Sequence, residues 1–215
     1  MKNNREILLA SRWPASKVRS CLRRKDRPQL VRFLKDRHEE RFFGPIDHIA
    51  HVRGNELGVG FSVMALCSLL IETMQCYRDG LPTTDRRELD RLRSLKRTPP
   101  AYQIPASLRP NGKEEFRRFF AKYRNEFSGL RPSAFYRKIR NGILHQGQTK
   151  GGWTLRRSDS VVCDPGKKII YRNRFATQLR SCFDGYLEEL RVANWSEPIW
   201  NNAARKIWWL IRLSR

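Results

Sequence analysis

Apolar positions recur at helical spacing along most of the chain. From Pro28 to Phe43, Leu30, Val31, Leu34, Phe42 and Phe43 stand among charges and predict a short, highly charged helix that Gly44-Pro45 breaks. A second break, Gly54 to Gly60, leads into the most apolar stretch, Leu57 to Ile71, closed by Glu72. A core helix is predicted there, running to about Tyr77, with Asp79-Gly80 and Pro82 as its stop. Phe116, Phe119, Phe120, Tyr123 and Phe127 predict a helix from Lys113 to Phe127. Pro132-Ser133 opens another, to about Gln146, with Ser133 as its N-cap. Leu179, Phe183, Tyr186, Leu187 and Leu190 form the stripe of a long helix from about Phe175 to Val192. Between the last two, Thr154 to Val162 and Ile169 to Arg172 read as extended, joined through Asp164-Pro-Gly-Lys, and predict a hairpin. Residues 80–112, rich in Arg, Pro and Thr, read as a long connection with a short helix over Asp85 to Leu95. The predicted fold is mostly α.

Three segments follow: 1–43, a basic N-terminal arm (residues 1–27, without periodicity) and a short helix; 44–192, a helical domain with its hairpin at about 153–172; and 193–215, a basic tail rich in tryptophan. The tail mixes Trp200, Trp208 and Trp209 with Arg and Lys, and its favoured reading is docking on the domain rather than on a membrane or a partner. No internal repeat is visible, which excludes a solenoid. No run has the roughly 18 uninterrupted apolar residues of a membrane span, and residues 1–10 lack a secretory apolar region. Five scattered cysteines, with no Cys-x-x-Cys pair, fit neither a disulfide framework nor a zinc ribbon and point to a reducing compartment, the cytoplasm by default.

Charge narrows the partners. A net charge of +23 selects polyanions, nucleic acid first, without selecting a chemistry. Arg19, Arg23, Arg24, Lys25 and Arg27, together with the cations between Arg86 and Arg97, are candidate sequence-independent phosphate contacts, or else simply solvated faces.

The segment from Phe135 to His145 carries the candidate chemistry. At about 100° per residue, Phe135, Tyr136, Ile139 and Ile143 share one arc and face the core, whereas Arg137, Arg140, Asn141 and His145 share the opposite one. Arg137, Asn141 and His145 are successive i, i+4 neighbours, with Arg140 beside that line. Two guanidinium groups, an amide and a titratable imidazole form an anion site for which phosphate is the natural guest. RNA cleavage by internal transfer needs a proton acceptor for the 2′-OH, a proton donor for the leaving 5′-oxygen and fixed positive charge on the phosphorane. Histidine and arginine supply these without a metal. The plain alternative is a solvated basic face with His145 near a helix C-terminus.

Arg140-Asn141-x-x-x-His145, with the apolar helix ending Leu-Leu-Ile-Glu72-Thr upstream and Gly142-Ile-Leu-His145-Gln-Gly-Gln-Thr149-Lys-Gly-Gly-Trp153 around it, resembles the Arg-x(4–6)-His motif of HEPN-domain proteins. The resemblance spans about residues 57–192. It implies an up-and-down four-helix bundle, with the hairpin and the basic terminal extensions as additions, that forms a homodimer with the motif helices across the two-fold axis. It also implies a cofactor-free, metal-independent endoribonuclease that leaves a 2′,3′-cyclic phosphate, in a toxin–antitoxin, CRISPR or phage-defence setting with an antitoxin or effector-complex partner. Carried over by residue, His145 is the general acid/base, Arg140 the phosphate clamp and Asn141 the residue that orients them. Arg137, Lys138, Lys150, Arg23, Arg24 and Lys25 would contact RNA. One departure is Gly147, where the subgroup modified by an adenylylating nucleotidyltransferase has Tyr. A catalytically silent HEPN-like module that binds nucleic acid within a larger assembly is the alternative.

Glu72 is either a surface residue at the end of the apolar run, the preferred reading, or a buried partner of Arg140. Asp47-His48-x-x-His51 has metal-ligand spacing but no evident further ligand. Gly54-x-x-x-Gly58-x-Gly60 lacks the Gly-Lys-Ser/Thr of a P-loop.

Overall fold

The computed structural model describes residues 6–50, 58–157 and 160–214. In chain order they form β1 (Leu8–Ala10), β2 (Trp13–Pro14), α1 (Ala15–Arg24), α2 (Arg27–His38), a π-helical segment (Glu39–Phe43), α3 (Gly44–Ala50), α4 (Val59–Asp79), α5 (Arg86–Arg93), a 3-10 turn (Pro100–Tyr102) and α6 (Gly112–Lys122). Then come α7 (Pro132–Ala134), a second π-helical segment (Phe135–Arg140), α8 (Asn141–Gln146), β3 (Thr154–Arg156), β4 (Cys163–Asp164), β5 (Ile169–Tyr171), α9 (Arg172–Val192) and α10 (Pro198–Leu213). The protein is mostly helical. Its contacts divide it into two compact units that do not follow the three consecutive segments expected from sequence. Of the described residues, the first gathers those within 6–41, 76–111 and 186–214, and the second those within 42–50, 58–75, 112–157 and 160–185.

In the first unit, residues 8–24, read from the sequence as part of a basic arm without periodicity, form two short strands and a helix. β1 and β2 pair antiparallel, Ala10 opposite Trp13, and α1 buries Ala15, Val18, Cys21 and Leu22. The periodicity is legible only in retrospect, because α1 has 10 residues and its narrow apolar stripe is interrupted by cations. Lys25 in the left-handed region ends α1, and Asp26 caps α2 by accepting from Gln29 N–H at 3.2 Å. The Trp13 indole stacks edge-on to Phe33 and donates to Asp36 at 2.8 Å. The tryptophan-rich tail is α10, and it docks. Trp200 and Trp209 are buried, donating to the carbonyls of Leu190 and Tyr102 at 2.8 and 3.0 Å. Trp209 completes a core with Cys76, Leu81, Leu89, Leu92 and Ile104, so the connection after α4 is a packed layer rather than a loop.

In the second unit a cluster of aromatic rings sets the frame. Phe116 and Phe120 of α6, Phe127, Phe135 and Phe175 of α9 meet at centroid distances of 4.9 to 6.3 Å. The helix from Pro132 starts with Arg131 as N-cap. Ser133 makes no cap, because Pro132, with its fixed φ and no N–H to satisfy, takes the first helical position. Gly44-Pro45 likewise does not end a helix: the π-helical turn before it absorbs the lost donor, and the chain continues as α3. The expected hairpin is half right. β4 and β5 are antiparallel across the Asp164-Pro-Gly turn, but Thr154–Arg156 is the whole of the first strand, and it lies parallel to β5 on the other side, in the order β3-β5-β4. Alternation could reveal the strands but not that the chain reverses before β4. Helix α4 is long and apolar enough to cross a membrane, and 61% of its most apolar window is buried inside the protein.

Candidate functional site

The candidate helix is held from below. Phe135, Ile139 and Ile143, four residues apart, are buried, and Phe135 stacks on Phe175 at 5.3 Å. The turns between Phe135 and Arg140 are π-helical, a wider winding often found at functional sites. This widening departs from the uniform 100° step, and the side chains must be placed by contact. Tyr136, expected on the core arc, is half-buried. Its ring packs on Phe116 at 5.4 Å on one side and lies under the Arg140 guanidinium at 5.5 Å on the other. The i, i+4 spacing of Tyr136 and Arg140 was the available signal for this support.

Arg140 is the hub. Its Nε donates to Glu72 Oε1 at 2.7 Å, and a terminal nitrogen approaches the same oxygen at 2.7 Å. The other terminal nitrogen donates to Asn141 Oδ1 at 3.1 Å and lies 3.5 Å from His145 Nε2. Glu72 therefore lies well inside α4 and is a partner of Arg140, with 12% of its side chain exposed. The preferred surface reading is overturned because α4 continues past the apolar run and Glu72 itself faces Arg140 of the motif helix. One edge of the guanidinium is thus tied to a carboxylate over a ring face, and the other is aimed at the amide and the imidazole. An arginine held this way is pre-oriented, at the cost of part of its charge. His145 is exposed to solvent.

Behind His145 the chain turns sharply. Gly147 adopts a left-handed conformation (φ 64°) and closes α8 with its N–H on the Ile143 carbonyl at 3.0 Å. The chain then runs back along the helix: Gln148 N–H reaches the Gly142 carbonyl at 3.3 Å and Lys150 N–H the Lys138 carbonyl at 2.8 Å. Gly142 permits this approach, since a Cβ there would collide with the Gln148 carbonyl. Lys138 and Lys150 are thereby brought together beside the motif. Arg137 is exposed, with its Nε 3.4 Å from the Ser133 carbonyl oxygen, and is not bonded to the cluster. Arg23, Arg24 and Lys25, exposed at the end of α1, belong to the other unit.

The weaker candidates stay weak. His48 is exposed, Asp47 pairs with Arg180 at 2.6 Å, and His51 lies outside the described residues. Among the described residues no group of three His, Cys, Asp or Glu is placed to hold a metal ion. Gly54 also lies outside them, whereas Gly60 serves packing: a Cβ there would lie 3.2 Å from Leu155 Cβ. No family model, curated protein or solved structure matches this chain.

Proposed function

We propose that the protein is a HEPN-like endoribonuclease whose chemistry is carried by His145, Arg140 and Asn141, without a metal or other cofactor. The observation that carries this reading is the convergence of one Arg140 nitrogen on both Asn141 Oδ1 and His145 Nε2 at a solvent-open surface. Four helical segments of the second unit (59–75, 112–122, 132–146 and 172–185) are consistent with the bundle the resemblance implies.

In the proposed reaction the 2′-oxygen attacks the adjacent phosphorus, the P–O5′ bond breaks and a 2′,3′-cyclic phosphate forms. The 2′-OH proton passes to an imidazole, and the 5′-oxygen takes a proton from an imidazolium. Arg140 opposes the charge that develops on the phosphorane, and Asn141 keeps the guanidinium aimed there. Each chain brings one histidine to this cluster, and base and acid are both needed, so a homodimer that juxtaposes two motif helices supplies the pair. A toxin or defence setting, with an antitoxin or effector partner, belongs to the same proposal.

The test is incubation of mixed cellular RNA in excess EDTA with wild type and His145→Ala, followed by analysis of product ends. Wild type is expected to leave cyclic phosphates and His145→Ala to cleave at least about a hundredfold more slowly. One observation favours the second reading, a silent RNA-binding module: Glu72 neutralises part of the Arg140 charge. That reading prevails if neither protein cleaves and both bind RNA equally.

A further inference from the structure

The loop behind His145 does more than close α8. Thr149 Oγ1 donates to the Trp153 carbonyl at 2.5 Å, and Thr154 N–H to the Lys168 carbonyl at 2.9 Å, where β3 begins. Held at these points, the loop forms one side of a pocket of about 300 Å³. The other side comes from Phe61 of α4 and Arg172 of α9. Phe61 and Trp153 are half-buried, and Arg172 is 5% exposed. Gly60 lets the start of α4 come close, since a Cβ there would already lie 3.2 Å from Leu155 Cβ and 3.6 Å from Arg172 Cδ.

The composition of this pocket selects its guest. Two aromatic rings offer faces on which any nucleobase can stack. The Gln148 amide and the Thr154 hydroxyl offer donors and acceptors for a base edge, and the Thr149 oxygen, its proton given to the Trp153 carbonyl, can still accept, which is how unpaired RNA is read. None of the lining residues is acidic, so a phosphate-bearing guest meets no repulsion there. An aliphatic ligand would leave these polar groups unused, and a simple anion would leave the rings unused. Position adds the second argument. Gln148 rests on Gly142, the residue after Asn141, and is three residues beyond His145.

We propose that this pocket seats one unstacked base of a single-stranded RNA whose neighbouring phosphate lies on the Arg140–His145 cluster, and that Trp153 and Gln148 set the base preference. The proposal rests on the ribonuclease reading, and its test separates the two. Fluorescein-labelled hexaribonucleotides of A, C, G or U are titrated by anisotropy at constant salt with His145→Ala, which cannot consume them under that reading. One homopolymer is expected to bind more tightly than the rest. Adding Trp153→Ala should weaken that one about fivefold or more, Trp153→Phe should restore it, and Gln148→Ala should change the ranking. The exposed Gln148 side chain carries the test alone if Trp153→Ala does not fold. An unchanged ranking in these variants, or no ranking at all, overturns the pocket. The same loop variants with His145 intact are then given a random-sequence RNA. Cleavage with an unaltered base preference rejects the pocket and leaves the nuclease standing. A ranking that vanishes in the variants, with no cleavage by any protein, keeps the pocket and rejects the catalytic reading.

Discussion

Single residues show how far burial alters a side chain's chemistry. His38, on α2, is 1% exposed, and its Nδ1–H donates to the Leu34 carbonyl at 2.7 Å. Its ring lies 5.4 Å from Tyr77, with Arg37 and Lys206 near enough to repel a proton. Desolvation leads in lowering its pKa from 6.5 to about 3, the two cations add to it, and the Leu34 carbonyl opposes them. Since the folded value lies below the unfolded one, the unfolded chain binds the extra proton. His38 therefore adds stability above pH 6.5, and this is lost as pH falls towards 3, at about 1.4 kcal/mol per pH unit. Urea unfolding at pH 7.5 and pH 5 should show about 2 kcal/mol lost through this group. His38→Gln, whose amide can still donate to Leu34, should remove that part of the slope; an unchanged slope would mean that the imidazole binds protons alike in the folded and the unfolded chain. His145 differs in kind: it is exposed, and its Nε2 meets the Arg140 guanidinium, which is itself bonded to the Asn141 amide oxygen. The two histidines could not be told apart by local sequence, because both stand on helices among cations.

At the scale of elements, the motif helix and its return loop form one device. The stripe Phe135, Ile139, Ile143 and the exposure of His145 were legible, since a four-residue spacing survives modest changes in winding. The π-helical turns were not, and neither was the return of residues 148–150, which depends on Gly142 meeting a carbonyl six residues away. Gly142→Ala should destabilise the protein by about 1–3 kcal/mol, because the obstacle is backbone and cannot step aside. Gly147→Ala, where a Cβ meets nothing within 4 Å, should cost only the left-handed conformation, about 1 kcal/mol. Chemical denaturation of the two variants side by side checks the order. Equal losses would show that the loop yields freely. The helix missed within the basic arm has a related cause: α1 is short, and its neighbours in the fold rather than its own pattern decide that Val18, Cys21 and Leu22 are buried.

For the whole molecule, charge and composition speak of partners and contacts speak of sites. The +23 charge predicts attraction to RNA that weakens steeply with salt, but it cannot distinguish binding from cutting. Assembly can. With one histidine per chain in the cluster, the proposed reaction needs two copies, and light scattering at micromolar concentration without RNA should give twice the chain mass of 25.5 kDa. A single-chain mass would remove the second imidazole and with it the proposed mechanism. By itself the sequence determined the helical class, the apolar faces and the aromatic stripe of α6. These follow from local periodicity and side-chain chemistry, which any stretch of chain carries with it. Only the tertiary structure decided that Glu72 holds Arg140, that Tyr136 supports it, that β3 runs parallel to β5 and that residues 6–41 pack in one unit with the tail. Those facts depend on which distant segments meet, and periodicity records which face of an element is apolar but not which other element covers it.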